Sequence, residues 1–431
     1  MSIRIKTSER RRVVIVASKR IPFVKSGSTY EGIALSELMT PVLNALISDL
    51  GIEGQRLGEV VIGALLKAPS ERGLARECVL GTKLDPHTPA FDLERACGTG
   101  LEAVIAVANK IALGQIESGI GGGVDTNSNV PLLFSHALAD VFKEFNKTGF
   151  SMKALGRITK LSPKDFLPTV PRVVERRTGL TMGDHCELMA KEWGITRQAQ
   201  DELAYQSHKN GAKAYKDSFY DDLVIEFGGL KRDKILREDT SQEKLATLKP
   251  AFDKSGKGTL TAGNSTPLTD GAAAVFLASE DYAREHGLPI LAYFVDARAW
   301  AVDFVGGEGL LMAPTYAVAD LFKTNGVSFD DFKYLEIHEA FAAQVLCTIK
   351  AWEDKKYCTE KLGLKGPLGS VPRDRMNQVG GSLALGHPFS ATGARITGSL
   401  AKLLKGKPSE LGLISICTAG GMGVAAIIEG A

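Results

Sequence analysis

The stretch Glu94-Arg95-Ala96-Cys97-Gly98-Thr99-Gly100-Leu101 places a cysteine directly before a run of periodic apolar residues. This run predicts a helix packed on one face, because its apolar residues recur at helical spacing: Leu101, Val104, Ile105, Ala108, Ile111 and Ala112. A thiol at a helix N-terminus faces unpaired backbone N–H groups, and its pKa can fall from about 8.5 to well below neutral. Cys97 is therefore a candidate nucleophile, although a buried structural cysteine is the commoner role of this residue type.

The pattern around this helix occurs twice in the chain. A glycine-rich strand exit, IGGGVD, follows it at residues 120–125. Late in the chain, a glycine-flanked turn at 386–388 leads into a second helix, a strand at 411–416 and a second glycine loop at 420–423. This repetition predicts an internal duplication, with two similar α/β units facing each other. Short β-branched runs that alternate with Ala-rich helical patterns likewise place the fold in the α/β class.

A polar segment interrupts the first of these units. Residues from about 127 to 258 read as helices and loops with solvated faces, which is typical of a lid or ligand-covering subdomain. Gly287 and Pro289 then break the pattern before a new strand-like run. We therefore expect an N-terminal half over residues 1–286, with the loop domain inserted at about 127–258, and a C-terminal half over residues 287–431.

Composition excludes several classes of function. The 431 residues carry 52 Lys+Arg and 50 Asp+Glu, so the net charge of +2 disfavours a nucleic-acid partner. The six cysteines form no C-x-x-C pair, which argues against a disulfide framework and against structural zinc. No apolar run approaches 18 residues, the length needed for a transmembrane helix. We expect a cytoplasmic protein that has no metal site.

Three clusters in the second half could complement Cys97. His338 and Glu339 end a strand-like run before an Ala-rich helix, and a histidine there can donate to a developing oxyanion. His387 lies in a glycine-flanked turn that Pro388 stiffens, as suits a general base. Cys417 precedes a glycine loop whose backbone N–H groups can bind an anion. Taken alone, a histidine such as His338 more often has a structural role, and each of the other two clusters is as consistent with a structural turn as with a catalytic one.

Together these segments resemble the thiolase family, in order and along essentially the whole chain. The opening strand at residues 14–23, the segment NSTPLTDGAAA at 264–274, the GHP turn at 386–388 and the cysteine loop at 417–423 are all similar to thiolase motifs, and Cys97 falls at the nucleophile position. The resemblance implies an acyltransferase. It also implies the thiolase fold, in which two duplicated halves form an α/β/α/β/α arrangement with an inserted loop domain.

The resemblance also implies a role for each candidate residue. His387 takes the proton of Cys97, which carries the acyl group as a thioester. Cys417 protonates the carbon of the departing acetyl-CoA enolate, and His387 and His338 contact the enolate oxygen. The backbone N–H groups of Cys97 and Ala419 form the oxyanion hole. Most relatives carry glycine at the position of Ala419, but alanine keeps the N–H.

Contacts to coenzyme A are implied by resemblance alone. Thr266 and Ser265 are expected beside the pantetheine, and Met182 beside the acyl chain. The sequence departs from its relatives at residues 182–187, MGDHCE, where they usually place Thr-Ala before the glutamate, so the shape of the acyl pocket differs. Coenzyme A is expected as a co-substrate, with no permanently bound cofactor.

One further departure narrows the branch of the family. Most thiolases carry Asn-Glu-Ala-Phe at the place where this chain has HEAF at residues 338–341, so His338 replaces an asparagine. The insertion after Asn129 is also longer than in most thiolases. Both features resemble the degradative 3-ketoacyl-CoA thiolase of the fatty-acid β-oxidation multienzyme complex. That branch implies a homodimer or higher oligomer and a hydratase/dehydrogenase α subunit as partner.

Three alternatives stay open. A biosynthetic acetoacetyl-CoA thiolase, which condenses two acetyl-CoA, uses the same core residues. A Cys/His hydrolase would release free acid without coenzyme A. An inert thiolase-like lipid carrier would form no acyl adduct at all.

Overall fold

The computed structural model describes residues 10–168 and 174–431. Its strands in these residues are β1 (Val13–Arg20), β2 (Val24–Lys25), β3 (Glu59–Gly63), β4 (Ala90–Leu93), β5 (Ser118–Asp125), β6 (Thr269–Ser279), β7 (Ala292–Ala301), β8 (Phe332–Ile337), β9 (Leu411–Thr418) and β10 (Met422–Gly430). Its α-helices in the same residues are α1 (Leu35–Leu50), α2 (Leu74–Leu80), α3 (Thr99–Ala112), α4 (His136–Thr148), α5 (Met152–Ile158), α6 (Met182–Glu192), α7 (Arg197–Lys216), α8 (Gln242–Ala246), α9 (Glu280–Glu285), α10 (Ala313–Asn325), α11 (Ala342–Glu353), α12 (Lys355–Glu360), α13 (Ser382–Leu385) and α14 (Ala391–Leu404).

The sheet topology contains the same arrangement twice. Its strand order is β4-β3-β5-β6-β1-β7-β10-β9-β8. The first half pairs β3 in parallel with β4 and β5, then β5-β6 and β6-β1 antiparallel. The second half repeats this with β8-β9 parallel, then β9-β10 and β10-β7 antiparallel, and a single bridge from Leu335 to Met376 stands where the first half has β4. The predicted duplication is confirmed.

Three separate hydrophobic cores show the predicted five layers. Val14 and Val16 of β1 face an outer core under α1 and α2, whereas Val13 and Ile15 face the middle core. That middle core holds α3, α14 and strand residues of both halves. A third core lies between the second half of the sheet and the helices α10 and α11. The alternation follows from the two-residue period of a strand, and the α/β/α/β/α prediction is confirmed.

The two central helices approach each other at their N-termini, and glycine makes this possible. A Cβ atom at Gly393 of α14 would overlap the backbone nitrogen of Leu101, and one at Gly100 of α3 would overlap the carbonyl oxygen of Ser390. No larger residue fits here without backbone movement. The loops that precede the two helices, which carry Cys97 and His387, therefore meet at the same place.

The inserted segment lies between β5 and β6 and contributes α4 to α8. A buried ion pair joins it to the first strand: Arg20 of β1 donates two hydrogen bonds, of 2.6 and 2.7 Å, to the carboxylate of Asp233, and the Tyr215 hydroxyl donates a third at 2.7 Å. Glu187 of α6 accepts the backbone N–H groups of Thr259 and Leu260, where the segment returns to the core. Across the described ranges, no helix is both long and apolar enough to cross a membrane.

Candidate active site

Cys97 lies in a tight turn between β4 and α3. Residues Ala96–Gly98 form a single 3₁₀ turn, and Ala96 has a φ of 44°. This left-handed conformation costs an alanine about 1–2 kcal/mol, because its Cβ crowds the following carbonyl. The Thr99 hydroxyl holds the turn by accepting the Arg95 N–H at 2.8 Å and donating to the Ala96 carbonyl at 2.7 Å. The predicted position of Cys97 before a helix is therefore observed, on a strained backbone.

The expected low pKa of Cys97 is wrong. Burial of its sulfur raises the pKa of the thiol to about 12, and the charge of Asp125 adds to this. The Ala419 N–H points at the sulfur and lowers the pKa, but it does not offset the loss of solvent. Cys97 is thus a neutral thiol at pH 7 and needs a base before it can attack a carbonyl.

Cys417 is the last residue but one of β9 and lies near Cys97. It is 1 % exposed, and burial and the neighbouring Cys97 raise its thiol pKa well above the ordinary value. It packs in an apolar cluster that includes Met182 and Phe341. The next residues, 419–421, form the loop that presents the Ala419 N–H to Cys97. The structure therefore places the two cysteines and the predicted oxyanion donor together.

The two histidines stand side by side. His338 follows β8, and its backbone N–H donates to the Ser415 carbonyl at 2.8 Å. His387 lies before α14, and its Nδ1 is 2.6 Å from the Thr392 hydroxyl. Their ring centroids are 4.2 Å apart. In each ring the Nε2 atom is buried and has no hydrogen-bond partner among the described residues.

Both imidazoles are neutral in the resting site. Burial, with a further contribution from the charge of Arg395, lowers the pKa of His387 to about 3. Burial also lowers the pKa of His338 well below its ordinary value, and His387 and Arg395 add to the effect. A neutral imidazole can either accept a proton or donate one, depending on its tautomer.

Several polar residues hold these groups in place, and the sequence analysis gave them no role. Asp125, at the end of β5, accepts the N–H groups of Leu65, Leu66 and Ser390, and so ties the first half to the loop that carries His387. Burial raises the pKa of Asp125 to about 6. Its position directly after the glycine-rich strand was the one signal that could have drawn attention to it.

Glu339 has a similar anchoring role in the second half. Its carboxylate accepts hydrogen bonds from the Ser207 hydroxyl at 2.7 Å, from Asn377 Nδ2 at 2.5 Å and from the Leu383 N–H at 3.2 Å. These contacts join the loop after β8 to α7 and to α13. Asn377 and Ser207 lie far from Glu339 in the sequence, so no local pattern could have revealed the network.

The expected coenzyme A contacts lie along one side of the site. The Ser265 hydroxyl is buried without a partner among the described residues and lines a cavity of about 300 Å³. The Thr266 hydroxyl donates to the Ala340 carbonyl at 3.1 Å, beside the loop of His338. Met182 packs in the cluster that contains Cys417. The cavity wall does not include Cys97 or His387, and borders the site through Ser265 and Leu383.

The cavity wall is strongly basic. Lys25, Lys234, Arg237 and Lys244 all line it, with a single acid, Asp239. Lys244 is paired with Asp239, whereas the other three have no acidic partner in the part of the chain that the structure describes. These cations are spread over more than two hundred positions, so the sequence gave no sign of them. Within residues 10–168 and 174–431, no three His, Cys, Asp or Glu side chains converge as metal ligands.

Comparisons with known proteins identify the family of the chain. The thiolase N-terminal domain family matches residues 13–281, and the thiolase C-terminal domain family matches residues 288–430. The chain is 40 % identical to a 3-ketoacyl-CoA thiolase of Pectobacterium carotovorum subsp. carotovorum over 425 residues, which cover 97 % of this chain and 96 % of the relative. It is 39 % identical to a 3-ketoacyl-CoA thiolase of Photobacterium profundum over 430 residues, 98 % of each chain.

Solved structures show the same fold. The Bacillus anthracis acetyl-CoA acetyltransferase superposes with a TM-score of 0.80 at 30 % identity, covering 98 % of this chain and 99 % of the other. The Acat5 thiolase from Ascaris suum in complex with coenzyme A has a TM-score of 0.81 at 25 % identity, covering 98 % and 100 %. Sequence and structure lead to the same conclusion: the chain is an acyltransferase and belongs to the thiolase family.

Proposed function

We propose that this enzyme is a degradative 3-ketoacyl-CoA thiolase, an acetyl-CoA C-acyltransferase that acts in fatty-acid β-oxidation. The proposal rests on two pairs of groups, Cys97 beside Cys417 and His338 beside His387. The contact between the N-termini of α3 and α14 brings the turn of Cys97 and the turn of His387 together. The reaction converts a 3-ketoacyl-CoA and free coenzyme A into acetyl-CoA and an acyl-CoA shortened by two carbons.

The first step acylates the enzyme. His387 Nε2 takes the proton of Cys97 as the sulfur attacks the 3-keto carbon, because the thiol is neutral and cannot attack unaided. The resulting alkoxide is bound by the backbone N–H groups of Cys97 and Ala419. Breaking the bond between the α and β carbons leaves the acyl group on Cys97 and an enolate of acetyl-CoA.

The enolate is then quenched. Its oxygen accepts a hydrogen bond from His338, whose Nε2 is otherwise without a partner among the described residues. The Cys417 thiol gives its proton to the enolate carbon, and acetyl-CoA leaves. In the second half-reaction, free coenzyme A returns a proton to the Cys417 sulfur and its thiolate attacks the acyl-Cys97. The tetrahedral intermediate then collapses and releases the shortened acyl-CoA, and the departing Cys97 sulfur regains its proton from His387, so the enzyme returns to its starting state.

Coenzyme A is held by the basic cavity in this proposal. The ligand carries a diphosphate and a ribose phosphate, and Lys25, Lys234 and Arg237 supply cations that have no acidic partner within the described ranges. Ser265 and Thr266 lie between this cavity and the loop of His338, where the pantetheine arm has to pass. Met182 packs against the apolar cluster that contains Cys417, and in this proposal it contacts the acyl chain.

The degradative branch is favoured over its nearest alternative. The curated relatives at about 40 % identity are named 3-ketoacyl-CoA thiolase, and His338 stands where most thiolases have asparagine. The biosynthetic acetoacetyl-CoA thiolase remains the second candidate, since one structural relative is named acetyl-CoA acetyltransferase. We further propose a cytoplasmic homodimer that pairs with a hydratase/dehydrogenase subunit, with halves at residues 1–286 and 287–431 and the loop domain inserted at about 127–258.

Thiolysis rates on 3-ketoacyl-CoA substrates of increasing length, each with free coenzyme A, test the proposal. We expect a higher kcat/KM on 3-ketohexadecanoyl-CoA than on acetoacetyl-CoA. Mass spectrometry of the enzyme quenched with substrate but without coenzyme A should show an acyl adduct on Cys97. Cys97→Ala should lose both the adduct and turnover, whereas Cys78→Ala, a buried cysteine in an outer core, should keep both.

Other outcomes would favour the alternatives. A preference for acetoacetyl-CoA indicates the biosynthetic enzyme, and free acid released without coenzyme A indicates a hydrolase. An acyl adduct confined to another cysteine would contradict the assignment of Cys97, and the absence of any adduct would indicate a carrier.

A further inference from the structure

A buried chain of hydrogen bonds leads away from His338 on the side opposite its free Nε2. The Ser382 hydroxyl lies 2.8 Å from His338 Nδ1, and Arg395 Nη2 donates to the same hydroxyl oxygen at 2.7 Å. Ser382 and His338 are fully buried, and Arg395 is 2 % exposed. The Ser382 hydroxyl makes no other hydrogen bond to the described residues.

This arrangement determines where the protons lie. A hydroxyl group has one proton and two lone pairs, and the guanidinium of Arg395 can only donate. Ser382 therefore accepts from Arg395, and its own proton has a single available acceptor, the Nδ1 atom of His338. If Nδ1 carried a proton instead, the buried hydroxyl would be left without an acceptor, which costs about 1–3 kcal/mol.

We propose that Arg395 and Ser382 are positioning residues that hold His338 in the tautomer with its proton on Nε2. This inference deepens the proposed function, on which its catalytic meaning rests: His338 is then a permanent hydrogen-bond donor toward the enolate oxygen. The buried positive charge of Arg395 polarises the hydroxyl, and through it the imidazole, so that the Nε2–H becomes a stronger donor where negative charge develops.

His387 has a different neighbour at its Nδ1. The Thr392 hydroxyl has no guanidinium bonded to it and no other partner among the described residues, so it can either donate to Nδ1 or accept from it. His387 is therefore free to gain and lose a proton at Nε2 during each turnover. The hydroxyl beside His338 cannot change its role in this way while Arg395 donates to it.

The charges around Arg395 fit a fixed role. Glu336, within β8, and Glu339, two residues after its end, are the acids whose charges act on Arg395. The charges of Tyr220 and Arg20 act on it as well. No carboxylate forms an ion pair with Arg395 within the described ranges, and its Nε and Nη1 atoms have no partner there. Ser382 is thus the one hydrogen-bond acceptor of this guanidinium among the described residues.

Nitrogen NMR of the whole enzyme tests the tautomer directly. In protein labelled with ¹⁵N-histidine, the signals of His338 are identified by their absence from His338→Asn. We expect the Nδ1 resonance of His338 to have the shift of an unprotonated nitrogen and Nε2 that of a protonated one, from pH 6 to pH 8. A proton on Nδ1 in the wild-type enzyme would overturn the proposal, whatever the activity.

Kinetics test the consequence. Ser382→Ala should slow carbon–carbon cleavage about tenfold or more, because the donor is no longer held in one tautomer, while the total acyl-Cys97 formed at long times is kept. Ser415→Ala is the matched control, since the Ser415 hydroxyl is buried without a partner among the described residues, and we expect its rate to stay within about twofold of the wild-type rate.

A double-mutant cycle separates positioning from general structure. In a His338→Asn background the serine has no imidazole to hold, so adding Ser382→Ala should change the rate less than twofold. An equal loss in both backgrounds would overturn the proposal in favour of a structural role. Failure of the proposed function would look different, because the acyl adduct on Cys97 would then be missing from the wild-type enzyme.

Discussion

Burial is the main cause of the shifted pKa values of single residues at the site. The thiols of Cys97 and Cys417 have raised pKa values and the imidazoles of His338 and His387 have lowered ones, so all four groups are neutral at rest. In the proposed mechanism, charge separation is created only when a proton moves from Cys97 to His387, at the moment of attack. The helix N-terminus beside Cys97 led us to expect a thiolate, but a local dipole does not outweigh the loss of solvent around the sulfur.

His208 gives a pH-dependent test at the same scale. It is 5 % exposed, and burial, then the charge of Arg237, lowers its pKa to about 4 from 6.5. Above pH 6.5 neither the folded nor the unfolded state binds the proton. Between pH 6.5 and 4 only the unfolded state does, so the free energy of unfolding must fall as the pH falls.

We expect His208→Asn to remove this dependence. Between pH 6.5 and 4, the free energy of unfolding of the wild type should fall by up to about 3 kcal/mol more than that of the variant. Urea unfolding at several pH values measures both. His286→Asn, at an exposed histidine, should behave like the wild type. Parallel curves for His208→Asn and wild type would contradict the assignment.

Among the elements, the contact of α3 with α14 sets the geometry of the site. Gly393→Ala places a Cβ against the backbone of Leu101, so the two helices must move apart and carry Cys97 away from His387. We expect a loss of about 1–3 kcal/mol in the free energy of unfolding and a lower rate of Cys97 acylation.

Gly156→Ala in α5 is the control for this substitution. Nothing lies within 4 Å of a Cβ at Gly156, so alanine should stabilise the protein by up to about 1 kcal/mol and leave acylation unchanged. Unfolding in denaturant measures the stability of each variant, and a quenched-flow assay measures its rate of Cys97 acylation. If Gly393→Ala and Gly156→Ala change stability and acylation alike, the glycine contact between α3 and α14 does not set the relative positions of Cys97 and His387.

The elements themselves were largely predictable. The period of the apolar residues after Cys97, the repeated glycine loops and the strand at 411–416 are local signals, and each gave an element of the right type. The partners of these elements were not predictable from local pattern. Ser390 reaches Asp125 only because the two halves fold onto one another, and Ser382 reaches His338 across 44 positions of the second half. No spacing in the sequence encodes either contact.

On the scale of the whole molecule, the inserted segment depends on a buried ion pair. Asp233→Asn leaves the Arg20 guanidinium buried without a counter-charge, and we expect a loss of about 3–5 kcal/mol in the free energy of unfolding. The neighbouring Lys234 and Arg237 line the basic cavity, so the KM for coenzyme A should rise as well.

Glu238→Gln is the control, since it weakens an exposed ion pair with Arg232 in the same segment. It should change the free energy of unfolding and the KM for coenzyme A little. Equal effects of the two substitutions would contradict the anchoring role.

The position of β1 at the centre of the sheet also bears on how the chain folds. Val13 pairs with Ser279 on one side and with Phe294 on the other, so β1 finds both neighbours only after more than 260 further residues have left the ribosome. Until then the apolar run at residues 13–17 has no strand to pair with. Such long-range pairing makes folding slow and leaves an unpaired, aggregation-prone strand edge exposed in the meantime. The strand that joins the two halves is therefore also exposed to aggregation during synthesis.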